Sequence, residues 1–370
     1  MKVGVLTSSR ADFGIYLPLL KALKADAFFD LSIIAFGTHL SNFHGYTKQH
    51  ILDSGFVVSH EVESMMLTDS SEAIGTAMGV TFSKFATFWN NHAEDFDVVF
   101  CLGDRYEMFS SVMAGLPFQI KFVHIHGGEK TLGAIDNVFR HSLTHASKIH
   151  FTTTESHKNR VVELVDEELE VHNVGALSLD NIKEIDLLSI NEFTIKWGVD
   201  FSKPTVLITF HPETVNVMNN ENFALQLVET IEARSDLQYL ITMPNADTSG
   251  TIIRNVFQKH LSDKQHVFMK ENLGVQSYFS AMSHCAFLMG NTSSGILEAA
   301  SFKKYVLNLG DRQKGRESGA NVIHVPLVKN NIVEAIEATL KMSSFEEGNI
   351  YYNGGATRSI IEILKTDKDG

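Results

Sequence analysis

The sequence is poor in several features, and each scarcity narrows what the chain can do. Two cysteines occur in 370 residues, Cys101 in "VVFCLG" and Cys285 in "HCAFLMG". Both lie in apolar runs far apart, the pattern of buried free thiols suited to a reducing cytoplasm. No apolar stretch approaches the roughly 18 residues that a membrane span needs. The opening "MKVGVLTSSR" has too short an apolar run for a signal peptide, so a cytoplasmic protein with no membrane partner is expected. Basic side chains are also scarce, 31 against 44 acidic ones, for a formal charge of −13. Such a chain repels nucleic acid and anionic lipid, and an anionic ligand needs a local positive site. No GxGxxG follows the first strand, so a nicotinamide dehydrogenase loses its main support. There is no low-complexity segment.

What is present is 44% hydrophobic and 20% charged, a globular composition, and long enough for two domains. Near-continuous apolar runs read as strands: "KVGVLT", "LSIIAFG", "DVVFCLG", "KFVHIHG" and "KIHFTT" in the first half. "TVLITF", "LQYLITM", "HVFMK", "CAFLMG", "YVLNLG" and "VIHVP" follow in the second. Helical patterns separate them; in "FGIYLPLLKALKAD", Ile15, Leu19 and Leu23 share a face. Strand and helix alternating this way predicts α/β architecture, two Rossmann-like doubly wound domains with parallel sheets. "VVFCLGDRYEMFSS" and "AFLMGNTSSGILEA" resemble each other, hinting at two similar halves. The polar stretch near residue 180 reads as the junction, giving domains 1–180 and 181–354. Two such domains facing each other form a cleft at the carboxyl ends of their strands, where open α/β folds bind ligands.

Residues just after strands are therefore the candidates. "SSRADFG" puts Arg10 at a helix start that can meet an anion. "CLGDRYEMF" puts Asp104 and Arg105 at another strand end, where Asp104 also reads as a helix cap. "TFHPET" places His211, and "MPNADTSG" places Asn245 and Asp247. "GNTSSGILEAA" reads as a capped helix start able to seat a diphosphate, with Thr292, Ser293 and Ser294 as donors. Glu298, one turn on, suits ribose hydroxyls better than phosphate. "NLGDRQKGRESG" supplies Arg312 and Arg316, whose guanidinium forks match phosphate geometry. The densest stretch is "KFVHIHGGEKTLGAIDNVFRHSLTHAS". His124 and His126 have the spacing of a metal-ligating pair, but zinc needs a third ligand and the known His-x-His enzymes use a closed barrel. The other reading makes Glu129 and Asp136 acid–base groups, with Arg140 and His141 on the helix behind. Arg140 lies one turn from Asp136 and is expected to hold it ionised.

"SRADFG", "LGDRYE", "HIHGGEKTLGAIDN", "HPET", "NADTSG", "GNTSSG" and "GDRQKGR" occur in this order across the whole chain. Together they closely resemble the hydrolysing UDP-N-acetylglucosamine 2-epimerases of bacterial sialic acid synthesis. The resemblance implies the glycosyltransferase-B architecture, with the last helix (about 355–368) returning to the first domain. It implies conversion of UDP-N-acetylglucosamine and water to N-acetylmannosamine and UDP, with neither metal nor nicotinamide as cofactor. Nucleotide contacts carried over fall on Arg10, Arg105, His211, Asn245, Thr292, Ser293, Glu298 and Arg312. Acid–base carboxylates fall on Asp104 and Asp136. A third family acid, in a His-x-Glu arrangement in some relatives, aligns with His126. This chain departs there, so either His126 or Glu129 takes that place.

In the implied reaction a base removes the proton at sugar carbon 2 as UDP leaves carbon 1, giving a 2-acetamidoglucal to which water adds. The same motifs would serve a UDP-2,4-diacetamido-2,4,6-trideoxyhexose of the legionaminic acid pathway. A sugar transferase of the same fold and a sugar-nucleotide sensor are the remaining alternatives, and the cluster of carboxylates argues against both. Folds of this kind often pair through exposed apolar patches, so a homodimer or homotetramer is expected.

Overall fold

The computed structural model describes residues 1–41, 46–66, 71–132, 135–213, 217–244 and 250–366. The first sheet contains β1 (Lys2–Thr7), β2 (Asp30–Phe36), β3 (His60–Val62), β4 (Val98–Leu102), β5 (Phe122–Ile125), β6 (Ile149–Thr152) and β7 (Val171–Asn173). The second contains β8 (Thr205–Thr209), β9 (Gln238–Thr242), β10 (Val267–Lys270), β11 (Phe287–Gly290), β12 (Val306–Leu309) and β13 (Val322–Val325). Their orders are β3-β2-β1-β4-β5-β6-β7 and β10-β9-β8-β11-β12-β13. Every pairing is parallel. The similar segments noted above supply β4 and β11, which occupy the same place, next to the first strand of each sheet. The strands that the apolar runs did not reveal are β3 and β7, three-residue strands at the two edges.

Both faces of each sheet are covered, which is why its strands read as unbroken apolar runs rather than alternating ones. In β4, Val98, Phe100 and Leu102 join a core with Val3 and Val5, while Val99 and Cys101 join another with Leu6. In β8, Val206 and Ile208 face one core and Leu207 the other. The helix Arg10–Ala25 buries Phe13, Tyr16, Leu19, Leu20 and Leu23; Ile15, expected on that face, lies on its flank, partly buried. Pro18, inside this helix, has no N–H to give the Gly14 carbonyl. The amide of Asn181 donates to that carbonyl instead, at 2.9 Å.

The chain divides into two compact units, Met1–Glu129 with Asp136–Asn181 and Tyr351–Gly370, and Lys130–Ile135 with Ile182–Ile350. The helix Ala356–Thr366 contributes Ala356, Ile360 and Leu364 to the core that contains Val3 and Val5. Cys101 and Cys285 are free and buried, and burial pushes both thiols up to about 12. No described helix is long and apolar enough to cross a membrane.

Candidate active site

In the first unit the chemistry gathers where β4 and β5 end. Gly103, at a φ of 76°, turns the chain out of β4 and sets Asp104 and Arg105 ahead of the helix Tyr106–Met113. Strand β5 stops at Ile125, and His126 adopts a φ of 67°, left-handed backbone that non-glycine residues seldom take. Gly128 has a φ of 80°, and a Cβ there would lie 2.3 Å from the His157 carbonyl. Only glycine lets the loop press this closely on the helix Glu155–Val165. Glu129 then enters the interior with no solvent exposure. Asp136 opens the helix Asp136–Ala146, which carries Arg140, itself 3% exposed, onto the same loop.

These side chains form one polar knot. The Arg140 guanidinium donates through Nη2 to Asp104 Oδ2 and through Nη1 to the His126 carbonyl at 2.8 Å. The same Nη1 lies 3.7 Å from Glu129 Oε2. The other Glu129 oxygen is 2.9 Å from His126 Nδ1 and accepts from the Thr153 hydroxyl at 3.4 Å. Thr153 Oγ1 is also 2.8 Å from His157 Nδ1, and Arg160 donates to the Gly128 carbonyl at 2.5 Å. Burying this many charges is tolerable because each carboxylate has a cationic or hydroxyl donor. Arg140 was expected to hold Asp136 one turn away; it turns to Asp104 and the His126 loop instead. His126 Nε2 is buried with no hydrogen-bond partner among the described residues.

His124 does not act beside His126. Its Nε2 faces the Gly103 carbonyl at 3.0 Å, which makes that nitrogen the donor, and its Nδ1 is 3.2 Å from Thr144 Oγ1. Burial pushes its pKa down to about 3, so the ring is neutral and serves to tie β4, β5 and the covering helix together.

The helix start at Arg10 also differs from the expectation. Its anion position is already filled by Asp12, whose carboxylate accepts from the Ser8 and Ser9 backbone, both at 2.7 Å, and from both hydroxyls. The Ser9-x-x-Asp12 spacing is a capping box, a signal the sequence carried. Arg10 itself stands exposed beside this filled position. Arg105 forms a two-pronged bond with the fully buried Glu107, at 2.8 and 3.2 Å.

In the second unit, Asn291 is the hub. Its amide accepts from the His211 backbone N–H at 2.7 Å and donates to the His211 carbonyl at 2.8 Å, locking the end of β8 to the end of β11. Its own carbonyl accepts from Arg312 at 3.1 Å and from Gln313 at 2.8 Å. Gly290 reaches a φ of 142°, and a Cβ would fall 2.0 Å from the Thr209 carbonyl, so this junction tolerates only glycine. Burial first, then the Arg312 charge, pushes His211 down to about 3 although the residue keeps some exposure. Its imidazole is neutral, and positive charge at this end comes from Arg312.

Thr292 caps a helix of only five residues, Ser293–Leu297, and its hydroxyl accepts from the Ser294 N–H at 3.3 Å. So short a helix, with one N–H already spent, offers an anion less than the sequence led us to expect. Glu298, 6% exposed, ends that helix. Arg316 braces Gln313 at 3.2 Å. Buried Glu213, in "HPET", accepts from the Asp311 N–H at 2.9 Å and so fixes the arginine loop; reading only the histidine of that motif missed it. Asn245 and Asp247 lie outside the described residues.

Two parallel sheets in this order, each with polar side chains at its strand ends, define a doubly wound, Rossmann-like α/β protein. The fold is that of the UDP-N-acetylglucosamine 2-epimerase from Neisseria meningitidis solved with UDP-N-acetylglucosamine, at a TM-score of 0.82 over 99% of this chain and 100% of that one, with 19% identity. A model of the UDP-N-acetylglucosamine 2-epimerase family matches residues 21–365. The chain belongs to that family. It is 33% identical to polysialic acid biosynthesis protein P7 of Escherichia coli over 98% of this chain and 93% of that protein. It is equally 33% identical to a Campylobacter jejuni hydrolysing GDP/UDP-N,N'-diacetylbacillosamine 2-epimerase, over 91% of this chain and 86% of that protein.

Proposed function

We propose that this family member is a hydrolysing 2-epimerase, converting UDP-N-acetylglucosamine and water to N-acetylmannosamine and UDP in the cytoplasm, as a homodimer or homotetramer. The observation that carries the reading is the knot in which part-exposed Asp104 meets the buried side chains of His126, Glu129 and Arg140, two carboxylates and an imidazole gathered around one guanidinium. The proton at sugar carbon 2 has no adjacent carbonyl to acidify it, so a positioned base is required. Such a base supplies roughly 100- to 10,000-fold, about 3 to 5 kcal/mol. Barrier reductions of about 8 to 23 kcal/mol are typical, so most of the effect must come from stabilising the departing diphosphate. That task falls to Arg312, Arg10, Thr292, Ser293 and His211, supported by Arg316. Arg105, Asn245 and Glu298 bind the remainder of the nucleotide. Asp104, which accepts from Arg140, and Asp136 are the candidate bases.

A second substrate has a specific observation in its favour. The Campylobacter relative, as similar as the Escherichia coli one, is named for diacetylbacillosamine, a 2,4-diacetamido-2,4,6-trideoxy sugar. The same groups at carbons 1 and 2 would process it. Incubation with each UDP-sugar in turn, without an acceptor, separates the readings. Free 2-epimerised sugar with stoichiometric UDP supports hydrolysis, and the preferred substrate is the one turned over faster. An epimerised but intact UDP-sugar would instead place the chain with non-hydrolysing epimerases.

A further inference from the structure

Changing the configuration at carbon 2 needs two proton-handling groups. One face of the carbon loses a hydrogen and the opposite face gains one, so a single fixed base cannot do both. The knot contains groups suited to opposite tasks. Asp104 is held by the Arg140 guanidinium, and Glu129 lies between that guanidinium and the His126 ring. Both carboxylates already accept from donors inside the knot, an arrangement that suits a proton acceptor rather than a donor. Both Glu129 oxygens already face partners inside the protein. His126 has one nitrogen committed, Nδ1 at 2.9 Å from Glu129, and one uncommitted, Nε2, buried and without a partner among the described residues. The left-handed backbone at His126, at a φ of 67°, is a strained setting for a non-glycine residue, and strain of this sort collects at reactive positions.

Resting on the 2-epimerase reading, we propose that His126 Nε2–H delivers the new hydrogen to carbon 2 in the second half of the reaction, with Glu129 as its positioning residue. In the first half a carboxylate takes the carbon 2 proton, the electron pair forms the carbon 1–carbon 2 double bond, and the carbon 1–oxygen bond breaks to release UDP. In the second half the double-bond electrons take the proton from imidazolium Nε2. Water bonds to carbon 1 and gives its extra proton to a carboxylate. The ring ends neutral; solvent returns its proton and takes up the two protons left on the carboxylates. Thr153, bonded to Glu129 and placed 2.8 Å from His157 Nδ1, fixes the carboxylate that fixes the ring.

The test supplies the steps separately. His126→Asn, chosen because asparagine tolerates left-handed backbone, is given UDP-N-acetylglucosamine, the UDP-diacetamido sugar, or 2-acetamidoglucal plus UDP. UDP affinity monitors folding. The expected result is UDP release within tenfold of wild type, accumulation of the glycal, and hydration of added glycal slowed at least 100-fold. His126→Glu, which restores an acid at this position, should recover hydration at least tenfold over His126→Asn even if the asparagine variant folds poorly. Glu129→Gln should slow hydration at least tenfold with UDP affinity unchanged, a split that a merely structural role would not produce. Hydration by His126→Asn within threefold of wild type overturns the assignment. So does equal loss of UDP release and hydration with no glycal. Wild type inactive on both UDP-sugars removes the function reading itself, and this proposal with it.

Discussion

The two units wind their strands in the same order yet finish them in opposite styles. In the first, the ends of β4 and β5 carry ionisable side chains bonded to each other, Asp104 to Arg140 and His126 to Glu129. In the second, the ends of β8 and β11 carry side chains bonded chiefly to backbone, with Asn291 spanning both strands and receiving Arg312. Side chains that grip one another can exchange protons; side chains that grip backbone hold a fixed shape for a ligand. On the proposed reading, the same topology hosts a proton-transfer end and a holding end, and the difference lies in the strand-end side chains rather than in the fold.

If that division is right, variants in the two units should fail differently. Asp104→Asn should lower turnover at least 100-fold with UDP affinity within a few-fold, measured by steady-state kinetics and calorimetry. Asp136→Asn should behave alike, and retained turnover would remove it from the reaction. Arg140→Met leaves Asp104 and Glu129 without their shared cation, so it should cost about 3 to 5 kcal/mol of stability by chemical denaturation as well as activity. Arg312→Ala should act on affinity, weakening UDP by roughly 10- to 150-fold, the worth of a charge-assisted hydrogen bond. An unchanged dissociation constant would take Arg312 out of the nucleotide site.

A further test sharpens the comparison through pH. His124 and His211 are both pushed down to about 3, and His150 to about 4, with burial as the leading cause. Each is neutral when folded and titrates near 6.5 when unfolded, so the unfolded chain binds more protons below that pH. Their contribution to stability is complete above about 6.5 and is lost as pH falls toward 3, at up to about 1.4 kcal/mol per unit for each ring. NMR titration should show the His124 and His211 ring signals unmoved between pH 8 and 5.

Much of the fold was legible in the residues. Strands buried on both faces announce themselves as apolar runs, and the missed β3 and β7 are three-residue edge segments, too short for any periodicity to show. The strand-end positions of Asp104, His126, His211 and Arg312 followed directly from those runs. Which partner each side chain chooses did not. Arg140 prefers Asp104, 36 residues away, over Asp136 on its own helix, because the packing of the helix over β5 decides its reach. Asp12 filling the helix start beside Arg10 was readable from its capping-box spacing. Thr153 and His157 carried no signal at all, since neighbouring strands bring them under Glu129 only in three dimensions.

The central claim is that the first unit moves a hydrogen at carbon 2 of a UDP-bound amino sugar. Running the wild-type reaction in deuterated water and reading the sugar product by proton NMR tests it most directly. The account predicts free 2-epimerised sugar with one deuterium at carbon 2; epimerised sugar that keeps its original hydrogen there would contradict it.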